Sequence, residues 1–430
     1  MTRALNGQQL LLALSSLVLL HGCTAVHNTF SGNSATTSLP DTSNPRVKKL
    51  FRKAQNGVAT AQLSCGLMFY KGEGPLSKDY QQAFSWFRKA AENGSVEAMF
   101  NLALCYDLGR GGPQDRTKAL HWYDKAAEQG LLQAQLNAGL TLFKKDQYNK
   151  ALSYFRQAAD QGHTKAKYKT AQCYLRQADT DNSLQKAIPY LRDAASEGHA
   201  PAQTKLAELY RKGRGVRKNT TEMINLLHLA AQQGYAEAQT KLGYCHEKGH
   251  GVEKNLQKAV RWYKKAAAQK HPPAFVALGN LHLRGKAVQQ DISKACEYYR
   301  RAAEQGDQLG QMNLGAAYAQ GLGVEKSTKK ARKWFKKAAS AGYAPAQYNV
   351  GHFFHKGIGG TQDTQKALEW YRKAARNGNV RAMRKLDKLY RTGEGQVPKS
   401  TKKADLYRRM ARQTEKDEPR LQPDPVFATE

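Results

Sequence analysis

The residues best spaced for metal chemistry form the segment His246-Glu247-Lys248-Gly249-His250, which follows the pattern His-Glu-x-x-His. Two histidines four residues apart bind zinc, with the glutamate as general base, when a continuous helix holds both on one face. Gly249 and Gly251 argue against such a helix, because glycine commonly ends helices in the left-handed conformation. We therefore predict that a helix ends before His250, and that the segment holds neither a metal nor a catalytic group.

The same glycine spacing recurs along the chain because the chain is built from copies of one segment. In each copy a small residue opens a helical pattern, and most copies start 36 residues after the previous one. Ten copies predict a repeat architecture, in which each repeat buries its apolar face against its neighbours. We number the repeats one to ten by these anchors, which are Ala61, Ala98, Ala134, Ala166, Ala202, Ala238, Ala274, Gly310, Ala346 and Ala382.

Each repeat contains two helical patterns. In the first, small or apolar residues stand at the anchor and four, five and eight positions later, which is one face of a helix. Position five is glycine or alanine in nine repeats, so helices can approach closely there. The second pattern keeps all five tryptophans at one position, and we predict that each ring packs between neighbouring repeats. These are Trp86, Trp122, Trp262, Trp334 and Trp370.

These two patterns together resemble the Sel-1-like repeat, a relative of the tetratricopeptide repeat. The matching residues are A-x-x-x-L-G-x-x-Y-x-x-G-x-G-V followed by K-A-x-x-W-Y-x-K-A-A-x-x-G, over about residues 46–411. The resemblance implies an all-α solenoid of antiparallel helix pairs, wound into a right-handed superhelix. The solenoid would comprise about ten repeats and an N-terminal half-repeat at residues 46–57. Asp387 replaces the small residue in repeat ten, which suits a capping repeat.

The resemblance also implies a function, because tetratricopeptide-like arrays bind partners on a concave face lined by first helices. Two positions of these helices, three and ten residues after the anchor, form one stripe. Asparagine and lysine there suit the backbone and carboxylates of an acidic or extended segment. The predicted partner-binding residues are Asn101, Asn137, Lys144, Lys169, Arg176, Lys205, Lys212, Lys241, Lys248, Arg284, Asn313, Asn349 and Lys356. Repeats three to six are the most basic part of this stripe.

Cysteines and carboxylates give little sign of catalysis. Five cysteines follow Cys23, namely Cys65, Cys105, Cys173, Cys245 and Cys296. An odd number argues against a complete disulfide framework. Three of them share one position two repeats apart, beyond bridging distance, so we predict buried free thiols. Carboxylates are scattered, and no phosphate-binding loop or nucleophile motif occurs. We expect no enzyme and no cofactor, although some relatives of the family are claimed to be cell-wall or β-lactam hydrolases.

The N-terminus resembles a lipoprotein signal. An apolar run of eleven residues, 10–20, is too short to span a bilayer and ends in Leu20-His21-Gly22-Cys23. This resembles the bacterial lipobox, which implies cleavage after residue 22, lipidation of Cys23 and a location at the outer membrane, facing the periplasm or the surface. An ordinary secretory signal is the alternative. We predict a flexible tether at 23–45, the solenoid at 46–411 and an irregular tail at 412–430.

The charge of the chain is strongly positive, with 68 Lys and Arg against 35 Asp and Glu. Such a surface attracts polyanions. A second basic ladder runs along the second helices, as in Lys264-Lys265 and Lys336-Lys337, and should face the convex side. We predict a monomeric protein-interaction scaffold, anchored to the membrane by lipid, without a nucleic-acid partner. The alternative is a binder of exopolysaccharide, cell-wall polymer, anionic lipid or nucleic acid.

Overall fold

The computed structural model describes residues 44–74, 76–177 and 180–417. Within these ranges the chain is all-α, with 21 α-helices, one short 3-10 helix at Glu394–Gln396 and no strand. The predicted all-α solenoid of helix pairs is confirmed. None of the described helices has the length and apolar character needed to cross a bilayer. The predicted signal peptide, Cys23, nearly all of the tether and residues 418–430 lie outside the described residues.

The chain divides into two compact units, Met1–Gln129 and Gly130–Glu430. The N-terminal unit contains α1 (Pro45–Gln55), α2 (Ala59–Lys71), α3 (Tyr80–Glu92), α4 (Val96–Leu108) and α5 (Arg116–Glu128). Helix α1 is the predicted half-repeat and begins one residue earlier than predicted. The other four helices are repeats one and two.

The C-terminal unit contains repeats three to ten, and even-numbered helices are the first helices of their repeats. Its helices are α6 (Leu132–Lys144), α7 (Tyr148–Asp160), α8 (Thr164–Gln177), α9 (Asp181–Ser196), α10 (Ala200–Lys212), α11 (Thr220–Gln232), α12 (Ala236–Lys248), α13 (Leu256–Ala268), α14 (Pro272–Arg284), α15 (Ile292–Glu304), α16 (Gln308–Gln320), α17 (Thr328–Ser340), α18 (Ala344–Lys356), α19 (Thr364–Arg376), α20 (Val380–Thr392) and α21 (Thr401–Asp417).

Glycine and short polar side chains set the helix boundaries. In most repeats the first helix ends at a glycine in the left-handed conformation, such as Gly213 with φ of 65°. The second helix then begins after a side chain that accepts a backbone N–H, as Asn255 does from Lys258. Repeat three lacks the glycines, and Asp146 takes the positive φ of 57° in its tighter turn. The predicted boundaries follow from these two capping preferences.

An aromatic ring of the second helix rests on the glycine at position five of the first helix. A Cβ atom added to Gly243 would lie 2.7 Å from the ring of Tyr263, and Gly279 stands in the same way beside Tyr299. These rings are almost fully buried. The tryptophan that precedes each ring is buried only at Trp86; the other four are partly buried. Trp86 and Trp262 contact rings of the preceding second helix, as the predicted packing between repeats requires.

Buried glutamines one position after the anchor join consecutive repeats. The Gln239 amide donates to the Ala231 carbonyl of the preceding second helix at 3.1 Å, and its oxygen accepts from Gln269 at 3.0 Å. Gln269 also donates to the Gly234 carbonyl at 2.8 Å. Sequence reasoning missed this bridge, although the recurring Ala-x-Ala-Gln motif was its signal. The same two-sided bond occurs at Gln62, Gln203 and Gln347.

The last helix corrects the predicted C-terminal boundary. Helix α21 continues to Asp417, so residues 412–417 are helical and do not belong to an irregular tail. Contacts with α20 hold this extra turn, because Arg384 pairs with Glu415 and Ala411 is buried. The polar composition that predicted a tail belongs to the exposed side of this helix, where Arg412, Gln413 and Lys416 lie.

The ring-on-glycine contact predicts how the stack responds to one methyl group. We expect Gly243→Ala to lower the free energy of unfolding by about 1–3 kcal/mol, because its Cβ overlaps the Tyr263 ring. Adding Tyr263→Leu should recover part of that loss, since repeats four and five pair alanine with leucine at these positions. Those pairs are Ala171 with Leu191 and Ala207 with Leu227. Urea denaturation measures Gly243→Ala, Tyr263→Leu and the double variant, and strictly additive effects would contradict the contact.

Candidate functional site

The structure separates the two histidines of the zinc-like segment. Helix α12 ends at Lys248, and Gly249 caps it with φ of 77°, so His250 lies beyond the helix as predicted. The ring of His246 is buried, which lowers its pKa. The Glu247 carboxylate accepts from the Tyr263 hydroxyl at 2.9 Å. In the described part of the chain, no group of three or more His, Cys, Asp or Glu side chains is placed to hold a metal.

The five described cysteines are free and buried, as predicted. Burial raises the pKa of Cys65, Cys105 and Cys173 to about 12. The thiolate is the nucleophilic form of cysteine, so these side chains are inert core residues at neutral pH.

Three lysines of the predicted stripe come together around one carboxylate. Glu208 lies 3.4 Å from Lys205 Nζ and 3.0 Å from Lys212 Nζ. Lys241, from the next repeat, adds a favourable charge and also lies 3.3 Å from Glu237. Burial opposes ionisation of Glu208, but the Lys212 hydrogen bond and the three lysine charges outweigh it and lower its pKa to about 2. Repeats five and six thus share a partly buried, ionised cluster.

Lys169 of repeat four is a partly buried cation of the stripe. Its ammonium lies 4.8 Å from the centre of the Phe143 ring and donates to Gln172 at 2.9 Å. Burial lowers the pKa of Lys169. No ion pair with Lys169 occurs among the residues that the structure describes. A desolvated ammonium beside a ring gains more from an anionic partner than a fully hydrated one does.

The six cations of the stripe that stand ten residues after an anchor are exposed. Lys212 forms an ion pair with Glu208, and Lys248 forms one with Glu247, each at 3.0 Å. The structure therefore places this half of the stripe at the surface, near the C-terminal ends of the first helices. These exposed residues are Lys144, Arg176, Lys212, Lys248, Arg284 and Lys356.

The asparagines of the stripe do not form one surface. Asn101 is partly buried and donates to the Glu97 carbonyl of its own helix at 2.8 Å, and Asn137 is also partly buried. Asn313 and Asn349 are only 1% and 5% exposed, so their prediction as partner-binding residues is corrected. Asn349 of repeat nine donates to the sulfur of Met312 in repeat eight at 3.5 Å, so the preceding repeat covers its side chain.

The second-helix lysines have a role that sequence reasoning missed. The lysine three residues after each tryptophan lies over its ring, at 4.5 Å for Lys265 on Trp262 and 4.3 Å for Lys337 on Trp334. The same contact occurs in repeats one, two and nine. The spacing Trp-x-x-Lys places both side chains on one helix face and was the available signal.

The buried amide of Asn313 predicts a stabilising substitution. Its nitrogen and oxygen have no hydrogen-bond partner among the described residues, which costs about 1–3 kcal/mol for a desolvated polar group. We expect Asn313→Leu to raise the free energy of unfolding by about 1 kcal/mol in urea denaturation. Asn349→Leu, which removes a bonded amide, is the control and should give a smaller gain. A destabilised Asn313→Leu variant would contradict this interpretation.

Comparison with known proteins agrees with this architecture. The Sel1 repeat family model matches ten segments, 59–95, 96–131, 136–163, 164–199, 200–235, 236–271, 274–307, 308–343, 344–379 and 380–413. A crystal structure of a Sel1 repeat protein from Oxalobacter formigenes is similar, with 33% identity, a TM-score of 0.51, and coverage of 54% of this chain and 95% of that one.

Two Escherichia coli proteins are also similar. A protective antigen of uropathogenic strains, with an SLR fold, is 32% identical over 88% of this chain and 91% of that one, with a TM-score of 0.46. The secretory immunoglobulin A-binding protein EsiB is 40% identical over 60 residues, which is 14% of this chain and 12% of EsiB. The match thus spans about an eighth of that relative's length. Because the family model matches most of the chain, the protein belongs to the Sel1 repeat family.

Proposed function

We propose that this chain is a non-catalytic scaffold that binds an acidic or extended segment of a partner protein on the first helices of repeats three to six. Sel1 repeat proteins are generally protein-interaction scaffolds. EsiB, which shares a short similar segment, is by name a binder of secretory immunoglobulin A. The family and one relative therefore favour a protein partner, and the cations of this chain indicate its charge.

The lysine cluster around Glu208 is the observation that carries this proposal. Lys205, Lys212 and Lys241 outnumber the two carboxylates beside them, Glu208 and Glu237, and Glu208 is already ionised. Partly buried charge-assisted contacts are stronger than exposed ones. Lys169 extends the same basic surface to repeat four.

The partner-binding proposal predicts the effect of reversing two charges. We expect Lys205→Glu/Lys241→Glu to lose the partner, because two added carboxylates repel an acidic segment and compete with Glu208. Crosslinking in intact cells, followed by affinity capture and mass spectrometry, measures the change. Lys48→Glu/Lys49→Glu makes an equal charge change on exposed residues of α1 and should keep the partner. An unchanged set of captured proteins in the first variant, with normal circular dichroism, would remove this cluster from the proposal.

We also propose that lipidation of Cys23 anchors the protein to the bacterial outer membrane. The support is the apolar run followed by Leu20-His21-Gly22-Cys23. The predicted tether, residues 23–45, joins Cys23 to the repeats, so a lipid on Cys23 would hold the repeats near the bilayer.

The anchor predicts a change of fraction on substitution. We expect the wild-type protein to sediment with membranes and to carry an acylated Cys23 at its N-terminus by mass spectrometry. Cys23→Ser should release most of the protein into the soluble fraction, because the acyl chains supply the membrane affinity. Cys65→Ser is the matched control and should leave the fraction unchanged. A mature N-terminus elsewhere, without acyl groups, would indicate an ordinary secretory signal.

A further inference from the structure

The positive charge of repeats six to nine lies on the second helices. Helices α13, α15, α17 and α19 carry seventeen lysines and arginines against three glutamates. The first helices of the same repeats, α12, α14, α16 and α18, carry four cations against two glutamates. Helix α17 alone has six cations and no acidic residue. In these repeats the basic surface is therefore on the face opposite to the predicted groove.

The cations form three unbroken rows across the four second helices. Each row takes one residue from each helix at the repeat spacing of 36 residues. In the preceding repeat the same positions are Glu222, His228 and Leu229, so the rows begin abruptly at α13. The rows are Lys258, Lys294, Lys330 and Lys366; Lys264, Arg300, Lys336 and Arg372; and Lys265, Arg301, Lys337 and Lys373.

Aromatic rings, more than carboxylates, hold these cations in place. Lys265, Lys337 and Lys373 lie 4.3–4.5 Å from the tryptophan rings of their own helices. Among the described residues, two of the twelve row members form ion pairs, which are Arg301 with Glu297 and Lys366 with Asp363. A ring orients an ammonium without neutralising it. The rows thus keep nearly their whole charge in an ordered array.

The second-helix face that carries these rows is suited to contact with a flat anionic surface. Ten of the twelve row members are exposed, and Arg300 and Arg372 are partly buried. The exposed large apolar side chains in the described chain lie elsewhere, so nothing on this face is placed to insert into a hydrocarbon layer. The tryptophans are partly buried between the rows, and tryptophan favours the interface of a bilayer. Lysine stems can lie along this surface while their charges reach the headgroups.

We propose that the second-helix face of repeats six to nine, defined by these three rows, docks on an anionic lipid bilayer. Three parallel rows spread charge in two dimensions, which matches a sheet of lipid phosphates better than a single linear polyanion. Polybasic surfaces bind such membranes electrostatically and release them in salt. The inference goes beyond the proposed partner binding and does not require it. Docking would turn the first helices away from the membrane and leave them open to a partner.

Vesicle sedimentation of the full chain carrying Cys23→Ser tests this proposal without the lipid anchor. The probes are vesicles of phosphatidylcholine alone and of phosphatidylcholine with 30% phosphatidylglycerol. We expect at least tenfold stronger binding to the anionic vesicles in 50 mM salt, and loss of that preference in 500 mM salt. Equal binding to both vesicles, or to neither, would overturn the proposal.

Two charge-matched variants locate the surface. In Lys264→Glu/Lys265→Glu/Lys336→Glu/Lys337→Glu we expect at least a tenfold loss of anionic vesicle binding. Lys144→Glu/Arg176→Glu/Arg284→Glu/Lys356→Glu makes the same charge change on exposed first-helix residues and should bind nearly as wild type. An equal loss in both would show that net charge alone is responsible. If the first variant misfolds by circular dichroism, the corresponding glutamine variant replaces it and should weaken binding in the same direction.

A soluble polyanion distinguishes the membrane from the other anionic partner. Polygalacturonate is added to the anionic vesicles at equal charge concentration. We expect the protein to stay on the vesicles. Complete transfer to the polysaccharide, in the wild-type chain, would overturn docking on a bilayer and favour a polysaccharide partner. Capture of the partner by the Lys205→Glu/Lys241→Glu variant tests only partner binding, and the vesicle experiments test only membrane docking. Failure of one proposal therefore leaves the other standing.

Discussion

The contact between an aromatic ring of the second helix and a glycine of the first helix is the constraint on which six of the ten repeats depend. At Gly243 the added Cβ would overlap Tyr263, so the two helices are closer than any side chain at that position allows. Burying a ring this completely contributes a large share of the apolar area of a repeat. Where the second helix offers leucine, as at Leu191 and Leu227, alanine fills the remaining space. In repeats four and five the smaller leucine is thus matched by a larger residue on the first helix.

Glutamine bridges carry this local packing from one repeat to the next. Each bridge satisfies a buried amide with a carbonyl of the preceding repeat and a side chain of its own. The bridge is incomplete at repeat eight. Ala341 occupies the position that Gln269 has in repeat six and cannot donate a hydrogen bond. The oxygen of Gln311 is therefore buried without a partner among the described residues. Asn313 lies in the same helix, and α16 therefore concentrates the unsatisfied polar groups of its region.

The two helix layers differ in how they hold their cations. On the first helices of repeats five and six, lysines are tied to carboxylates such as Glu208, and their charge is partly compensated. On the second helices of repeats six to nine, lysines lie over tryptophan rings and keep their charge. The first arrangement favours a specific, partly desolvated contact, and the second favours a broad, salt-sensitive one. One chain thus offers two basic faces with different chemistry.

The sequence by itself determined the repeat, the helix pairs, the helix ends at Gly213 or Gly249 and the separation of His246 from His250. These features follow from local rules: the 3.6-residue period, the left-handed glycine and the capping side chain. The position of every lysine and asparagine on its helix was also fixed by the sequence. The tertiary structure decided which of these side chains are exposed to solvent. Asn313 and Asn101 occupy the same place in their repeats, yet one is buried and the other partly exposed. Burial depends on the side chains of neighbouring repeats, and a pattern within one repeat does not contain them.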